Sequence, residues 1–336
     1  MEIRNHTTNM VMHPALREAL QCARLQRGFV VEDLVEAKVK LLNDYYRQSG
    51  LKSAVVAVSG GIDSAVVLGL VEMASRADDS PIERILAITM PDYTNPGVTG
   101  QDEAARLAFD VCKAFGVEPI ELNMSKITWQ LMYDVEKAII KGPEGINPDK
   151  QMWMQGQATS YCRTPAYYYA TSILAMQGQP GLIIGTTNLS EGGYLGYFGK
   201  ASDGMVDLQL ISDLFKSEVY EVGRFLGVPE EIMQRAPTGD MFDATTDEVV
   251  FGAPYDFVEL FTHMKWDVNA AVMVDEVLAE YDSEQATAQF IEYRDNLERM
   301  HSYNAHKYLG RSPAVHLDIL QSGVTGGWDN KHWRLR

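Results

Sequence analysis

Residues 58–64 read Val-Ser-Gly-Gly-Ile-Asp-Ser, a run that joins backbone-opening glycines to hydroxyls and a single carboxylate. The β-branched stretch before it, KSAVVAV from Lys52, predicts a short buried strand. The stretch after it, AVVLGLVEMA from Ala65, predicts a helix. The motif therefore sits on a strand-to-helix turn, where the first N–H groups of the helix lack internal partners and the helix dipole adds partial positive charge. An anion is the natural occupant of such a turn. Gly60 and Gly61 would let the backbone approach that anion with no Cβ in the way, and a phosphate is the leading candidate. Taken alone, a Gly-Gly turn followed by Asp-Ser also serves as an ordinary helix cap. The two common Gly-rich nucleotide motifs, G-x-x-x-x-G-K-[ST] and G-x-G-x-x-G, are not what stands here.

The elements around this turn alternate. A helix is expected over VVEDLVEAKVKLLNDYYRQSG from Val30, stopping at Gly50. A second buried strand is expected in IERILAITMP from Ile82, an amphipathic helix from Gln101, and a third strand in EPIELNM from Glu118. GPEGINPDKQMWMQGQATS from Gly142 reads as a surface loop, TPAYYYATSILAMQGQPG from Thr164 as a helix, and LIIGTTN from Leu182 as another strand. Helices follow from Ser212, after Pro229 and from Tyr255, and the last seventy or so residues read as helical with an aromatic-rich tail. Strands alternating with helices imply an α/β fold, a parallel sheet with helices on both faces, and ligands outside the carboxyl ends of the strands. Residues 1–28 read as an N-terminal arm with a helix from Pro14, residues 29–265 as the nucleotide domain, and residues 266–336 as a helical extension that contributes to the substrate site.

Composition narrows the partners. The 336 residues are 46% hydrophobic and 22% charged, as in an ordinary globular protein. A formal net charge of −17 argues against non-specific binding to nucleic acid or an anionic membrane surface. Cys22, Cys112 and Cys162 form no C-x-x-C pair and are expected as buried thiols in a reducing compartment. With no apolar stretch of bilayer length and no signal peptide, the expected location is the cytoplasm.

The six residues from Ser59 to Ser64 resemble S-G-G-x-D-S, the pyrophosphate loop of the N-type ATP pyrophosphatases, which adenylate a substrate and release pyrophosphate. Two further blocks, IGTTNLSEGGYLGYFGKASDGMVDLQLISDLFKSEVYEVGRFLGVP from Ile184 and APTGDMFDATTDEVVFGAPYDFVEL from Ala236, resemble those of the NAD synthetases. The resemblance runs in order from about Leu51 to Leu260, with a short trace at HKY from His306. It implies an ammonia-dependent synthetase: Mg-ATP adenylates the nicotinate carboxylate of deamido-NAD, pyrophosphate leaves, and ammonia displaces AMP to give NAD.

On that resemblance, Ser59, Gly60, Gly61, Asp63 and Ser64 match the loop around the ATP phosphates, and Thr186, Lys216 and Thr238 match ATP-contacting positions. Asp63 and Glu191 match the acidic Mg²⁺ ligands, and oxygen ligands suit a hard cation that bridges phosphates. Asp63, Lys216 and Thr238 would carry the chemistry. Lys200 and Asp207 match residues that face deamido-NAD, and His306 with Lys307 match a pair that closes over it. Without that context Glu191 reads as a solvated carboxylate and Lys216 as a helix-face charge. The family is homodimeric, and the chain shows no recognisable glutaminase, so ammonia would arrive free or from a separate glutaminase partner.

There are departures from the family pattern. Where many members carry G-N-x-x-A-R-x-R-M, GQATSYCRTPAYYY from Gly156 stands here, with Arg163 as the candidate substrate-binding arginine. The family's HKR is HKY, with Arg311 as a stand-in. Two other readings stay open: a ligase that adenylates a different carboxylate, and a non-catalytic nucleotide-binding relative.

Overall fold

The computed structural model describes residues 10–94, 100–140, 151–239, 246–307 and 315–317. Its frame is a six-stranded parallel sheet of order β3-β2-β1-β4-β5-β6, formed by β1 (Ser53–Ala57), β2 (Arg84–Thr89), β3 (Pro119–Glu121), β4 (Gly181–Gly185), β5 (Leu208–Gln209) and β6 (Val315–His316). β1 pairs from Ser53↔Arg84 to Ala57↔Ile88 on one side and from Ser53↔Gly181 to Val56↔Ile184 on the other. The chain order reverses direction between β1 and β4, so the loops leaving those two strands open side by side at the carboxyl edge.

The pleat of β1 sorts its side chains. Ala54 and Val56 join Leu41, Leu42, Val66, Leu70 and Val219 on one face, while Val55 joins Leu86, Ile88, Cys162 and Ile183 on the other. Burial on both faces explains why β1 and β4 read as continuous apolar runs. A separate apolar cluster packs the helices Pro14–Arg27, Tyr255–Trp266, Val268–Tyr281 and Glu284–Asn304 around Leu16, Leu20, Phe257, Val258 and Leu297.

Most expected elements appear where the sequence placed them, and the exceptions have causes. The stretch from Gly142 was expected to be a loop as far as Ser160, yet a 26-residue helix begins at Gln151 and carries Pro165 inside it. The good helix formers of QMWMQ outweigh the single Gly156, and Pro165 had read as a helix start rather than a tolerated interior residue. The helix Ser125–Ile139 was not anticipated, and only Thr128 on it is buried. Two-residue strands such as β5 and β6 are too short to leave a period. Cys112 and Cys162 are buried free thiols as expected, whereas Cys22 is half-buried. Among the described residues no helix is long and apolar enough to cross a membrane.

Candidate active site

The turn after β1 is tight. Gly60 takes φ +83°, and a Cβ there would lie 2.4 Å from the Ala104 carbonyl oxygen, so only glycine fits. The Ser64 hydroxyl donates to the Gly61 carbonyl at 3.0 Å and accepts from the Ser59 N–H at 3.2 Å, locking the loop on itself. Ser59 itself is exposed. The helix Ile62–Ser75 then starts with no side chain capping it and with Asp63 in its first turn. Its N–H groups are left facing the strand edge, as an anion requires.

The loop after β4 stands beside this turn. Asn188 caps the short helix Leu189–Gly192 by accepting from the Glu191 N–H at 3.1 Å, and its amide donates to Asp63 Oδ1 at 2.8 Å. One side chain thus fixes both acidic residues. Lys216 opens the helix Lys216–Leu226, which follows β5 and packs against Ile62–Ser75. Its ammonium donates to Asp63 Oδ2 at 2.6 Å and to Glu191 Oε1 at 2.9 Å, with its side chain 3% exposed. Three residues separated widely in sequence meet at one point.

A second layer holds that point. The Tyr255 hydroxyl lies 2.8 Å from Glu191 Oε1 and 2.9 Å from Asp247 Oδ2, and the Tyr197 hydroxyl donates to Asp247 Oδ1 at 3.1 Å. Burial, with Asp63 and Asp247 nearby, pushes the Glu191 carboxyl up to about 7 in spite of Lys216. Burial also works against the Lys216 ammonium, but Asp63 and Glu191 outweigh it and hold its pKa well above the ordinary value. Thr238 bridges Thr246, and the Asp247 N–H donates to the Pro237 carbonyl at 3.1 Å, which puts Thr238 close to Asp247. Thr186 is half-buried between β4 and Asn188.

Beside Ser59 lies a recess of about 330 Å³, counting its open mouth, lined by Val58, Met90, Gln101, Ala104, Arg163 and Tyr167 among others. Tyr167 is the buried ring of the YYY run, while Tyr168 and Tyr169 are exposed. Arg163 is turned inward here, donating to the Met90 carbonyl at 3.1 Å and to Gln101 Oε1 at 3.0 Å.

The expected acceptor-binding residues are scattered by comparison. Lys200 is exposed, and Asp207 accepts from the Ile183 N–H at 2.8 Å beside β4. His306 is exposed on a short 3₁₀ turn, and Lys307 donates to the Gly196 and Phe198 carbonyls at 2.8 and 2.6 Å. Arg311 lies outside the described residues.

The NAD synthase family model matches residues 34–308. The chain belongs to the NAD synthase family. It is 30% identical over 230 residues to the NH(3)-dependent NAD(+) synthetase of Methanococcoides burtonii, covering 68% of this chain and 78% of that one. It is 33% identical over 208 residues to the enzyme of that name from Thermoplasma volcanium, covering 62% and 74%. In fold it is similar to the NMN synthetase of Francisella tularensis, with TM-score 0.62 and 23% identity over 83% of this chain and 96% of that one.

Within this family frame, Asp247, Tyr255, Asn188 and Tyr197 are the site residues that reading the sequence missed. Asp247 and Tyr255 stood inside the family-like block from Ala236, and Asn188 stood in NLSE, but no spacing marked them as partners of Lys216. Their signal is contact across the fold, which a linear pattern does not carry.

Proposed function

We propose that the protein is an ammonia-dependent NAD synthetase whose adenylating centre is the Asp63–Glu191–Lys216 cluster. The observation that carries this reading is the Lys216 ammonium between two carboxylates at the open N-terminus of the Ile62–Ser75 helix. A point already shared by two carboxylate oxygens and a cation suits a hard divalent ion. Mg²⁺ keeps few protein ligands and fills its remaining positions with phosphate oxygens and water. Asp63 and Glu191 would supply two such oxygen ligands.

In this reading Asp63 and Glu191 would hold Mg²⁺, which when bound would neutralise charge on the ATP phosphates. The Ser59–Ser64 loop and the first N–H groups of the helix bind those phosphates, with Thr186 and Thr238 at the rim. The deamido-NAD carboxylate attacks the α-phosphorus, the bond to the bridging oxygen breaks, and pyrophosphate leaves. Lys216 follows the charge that grows on the departing phosphates. Ammonia then attacks the acyl carbon of the adenylate, AMP leaves with the electron pair, and the ammonium proton passes to solvent. Lys200, Asp207, Arg163, His306 and Lys307 would receive the dinucleotide acid, and the helical residues after 265 would contribute to that side.

The same reading includes a homodimer. The helix Ser125–Ile139 exposes Ile127, Trp129, Tyr133 and Ile139, and its neighbour Gln151–Met176 exposes Tyr169 and Met176. Exposed apolar side chains in this number call for a cover, and in this reading a second copy of the chain supplies it. Trp129→Glu should leave a monomer in sedimentation; an unshifted mass in that variant removes this interface.

NAD formation from deamido-NAD, Mg-ATP and ammonium, beside the same mixture with glutamine in place of ammonium, tests the activity. Product from ammonium alone is expected. Protein that makes amide from nicotinate mononucleotide but none from deamido-NAD would keep the adenylating centre and replace the acceptor. Absence of pyrophosphate with either acid would sink the reading.

A further inference from the structure

The helix Pro14–Arg27 precedes the family match, which begins at residue 34, yet its last turn reaches the site. Arg24 and Arg27 are three residues apart and therefore share a face. Ala15, Leu16, Ala19, Leu20 and Ala23 bury the rest of the helix and fix its direction.

Arg27 lies over the Phe215 ring, 4.6 Å from its centroid. It donates to the Asp213 carbonyl at 2.6 Å and to Glu218 Oε2 at 2.9 Å, and its Nε pairs with Glu218 Oε1. Glu218 in turn accepts from the Phe215 N–H at 2.8 Å, closing a ring around the start of the Lys216–Leu226 helix. Arg24 grips Glu259 through Nε at 2.8 Å and Nη2 at 2.7 Å, and Glu259 accepts the Ser217 hydroxyl at 2.7 Å. Arg24 also donates to Asp256 at 2.8 Å, next to Tyr255, the residue that contacts Glu191. Lys38, wholly buried, holds the Asp213 carboxylate at 2.5 Å.

We propose that Arg24 and Arg27 are positioning residues for Lys216, clamping the residues on both sides of it so that its ammonium is aimed before ATP arrives. The inference rests on the assignment of Lys216 to the adenylating centre. Each arginine holds a neighbour of Lys216 through a planar fork, which fixes direction in a way a point charge does not. Buried ion pairs of this sort are weak contributors to stability compared with apolar packing, so their placement around one catalytic side chain is better explained by geometry than by fold strength. A displacement of about 1 Å at a reacting group is enough to slow a step by about a hundredfold.

The test is a double-mutant cycle on the maximal rate of pyrophosphate release with saturating Mg-ATP and deamido-NAD. Arg27→Lys keeps the charge and loses the fork. It should lower the rate by about tenfold or more in the wild-type background, change KM for ATP by less than about twofold, and lower the rate by less than about twofold in a Lys216→Ala background. Ser217→Ala removes one hydroxyl from the Arg24 side without touching the packing, and should lower the rate by about threefold with the same dependence on Lys216. Equal losses in both backgrounds, or full rate in both single variants, would overturn the proposal. A wild-type rate that Lys216→Ala leaves unchanged would instead overturn the assignment of the centre, and this inference with it.

Discussion

Lys216 and Lys200 are both read as partners of anions, and the fold treats them in opposite ways. The Lys216 side chain is 3% exposed and bonded to Asp63 and Glu191, with Asn188, Tyr255 and Asp247 fixing those carboxylates from behind. Lys200 stands exposed, and the residues read with it are apart: Asp207 beside β4, Lys307 tied to backbone carbonyls, Arg163 turned into the recess. On the proposed assignment, the phosphate half is therefore organised within a single chain before any ligand binds. The acceptor half is in pieces that a ligand, or a second chain at the proposed interface, would bring together. Phosphoryl and adenylyl transfer reward fixed charge at the reacting centre, and the buried Lys216 with its two carboxylates is fixed charge of that kind.

The largest effect should come from the most organised residue. Lys216→Ala should slow pyrophosphate release by about a thousandfold, near 4 kcal/mol, because among the described residues no other cation pairs with Asp63 and Glu191. The substitution should also raise the affinity of those two carboxylates for Mg²⁺ without nucleotide, a change that calorimetry can read. A variant that keeps most of its rate would show the cluster to be structural. Next comes Gly60→Ala, where φ of +83° and the Ala104 carbonyl oxygen at 2.4 Å leave no room. A loss of about 3 kcal/mol in denaturant unfolding is expected, together with weaker ATP binding. Normal stability in that variant would mean that the turn is looser than its contacts imply.

His263 probes the same half from below. Its ring lies 4.6 Å from that of Phe215, the residue before Lys216, and its Nε2 is buried with no hydrogen-bond partner. Burial, helped by Arg27 and Arg24 and opposed by Glu259, lowers its pKa to about 4. The folded value lies below the unfolded one of about 6.5, so the unfolded chain takes up the proton first as pH falls. The associated stability is whole above about pH 6.5 and is lost down to about pH 4. Between about pH 7 and pH 5 the wild type should lose about 2 kcal/mol more than His263→Gln. Parallel unfolding curves for the two proteins would show that the histidine is hydrated in the folded state.

How much of this could be read from the chain follows the same division. SGGIDS was legible because a strand, a turn and a helix start announce themselves locally, and Lys216 because a long block resembled a family. Tyr255 and Asp247 were not, since Tyr255 touches Glu191 64 positions away and Asp247 touches Tyr197 50 positions away. Nor was Arg27, whose clamp on Glu218 spans 191 positions. The helix from Gln151 was hidden by the Gly- and Pro-rich run before it and by Pro165 within it. Local propensity carries the first kind of information, and tertiary contact the second.

The mildest perturbation falls on the acceptor half. Lys200→Ala removes an exposed charge with no partner among the described residues, so the unfolding midpoint should not move. If Lys200 meets deamido-NAD only after binding begins, the change should appear as an increase of about tenfold in KM for that acid, near 1.4 kcal/mol. KM for ATP should stay as it was, because the phosphate centre is complete without Lys200. A fall in kcat with both KM values unchanged would place Lys200 in the transition state, which would require the loop around Gly199 to be ordered as tightly as the Asp63 cluster. An increase in KM for both substrates would mean that the halves are coupled and that the contrast between them belongs to the ligand-free chain alone. Repeating the measurement in Trp129→Glu separates the two sources of missing order: a further rise in KM for the acid assigns part of the acceptor site to the partner chain, and an unchanged KM leaves closure to the ligand.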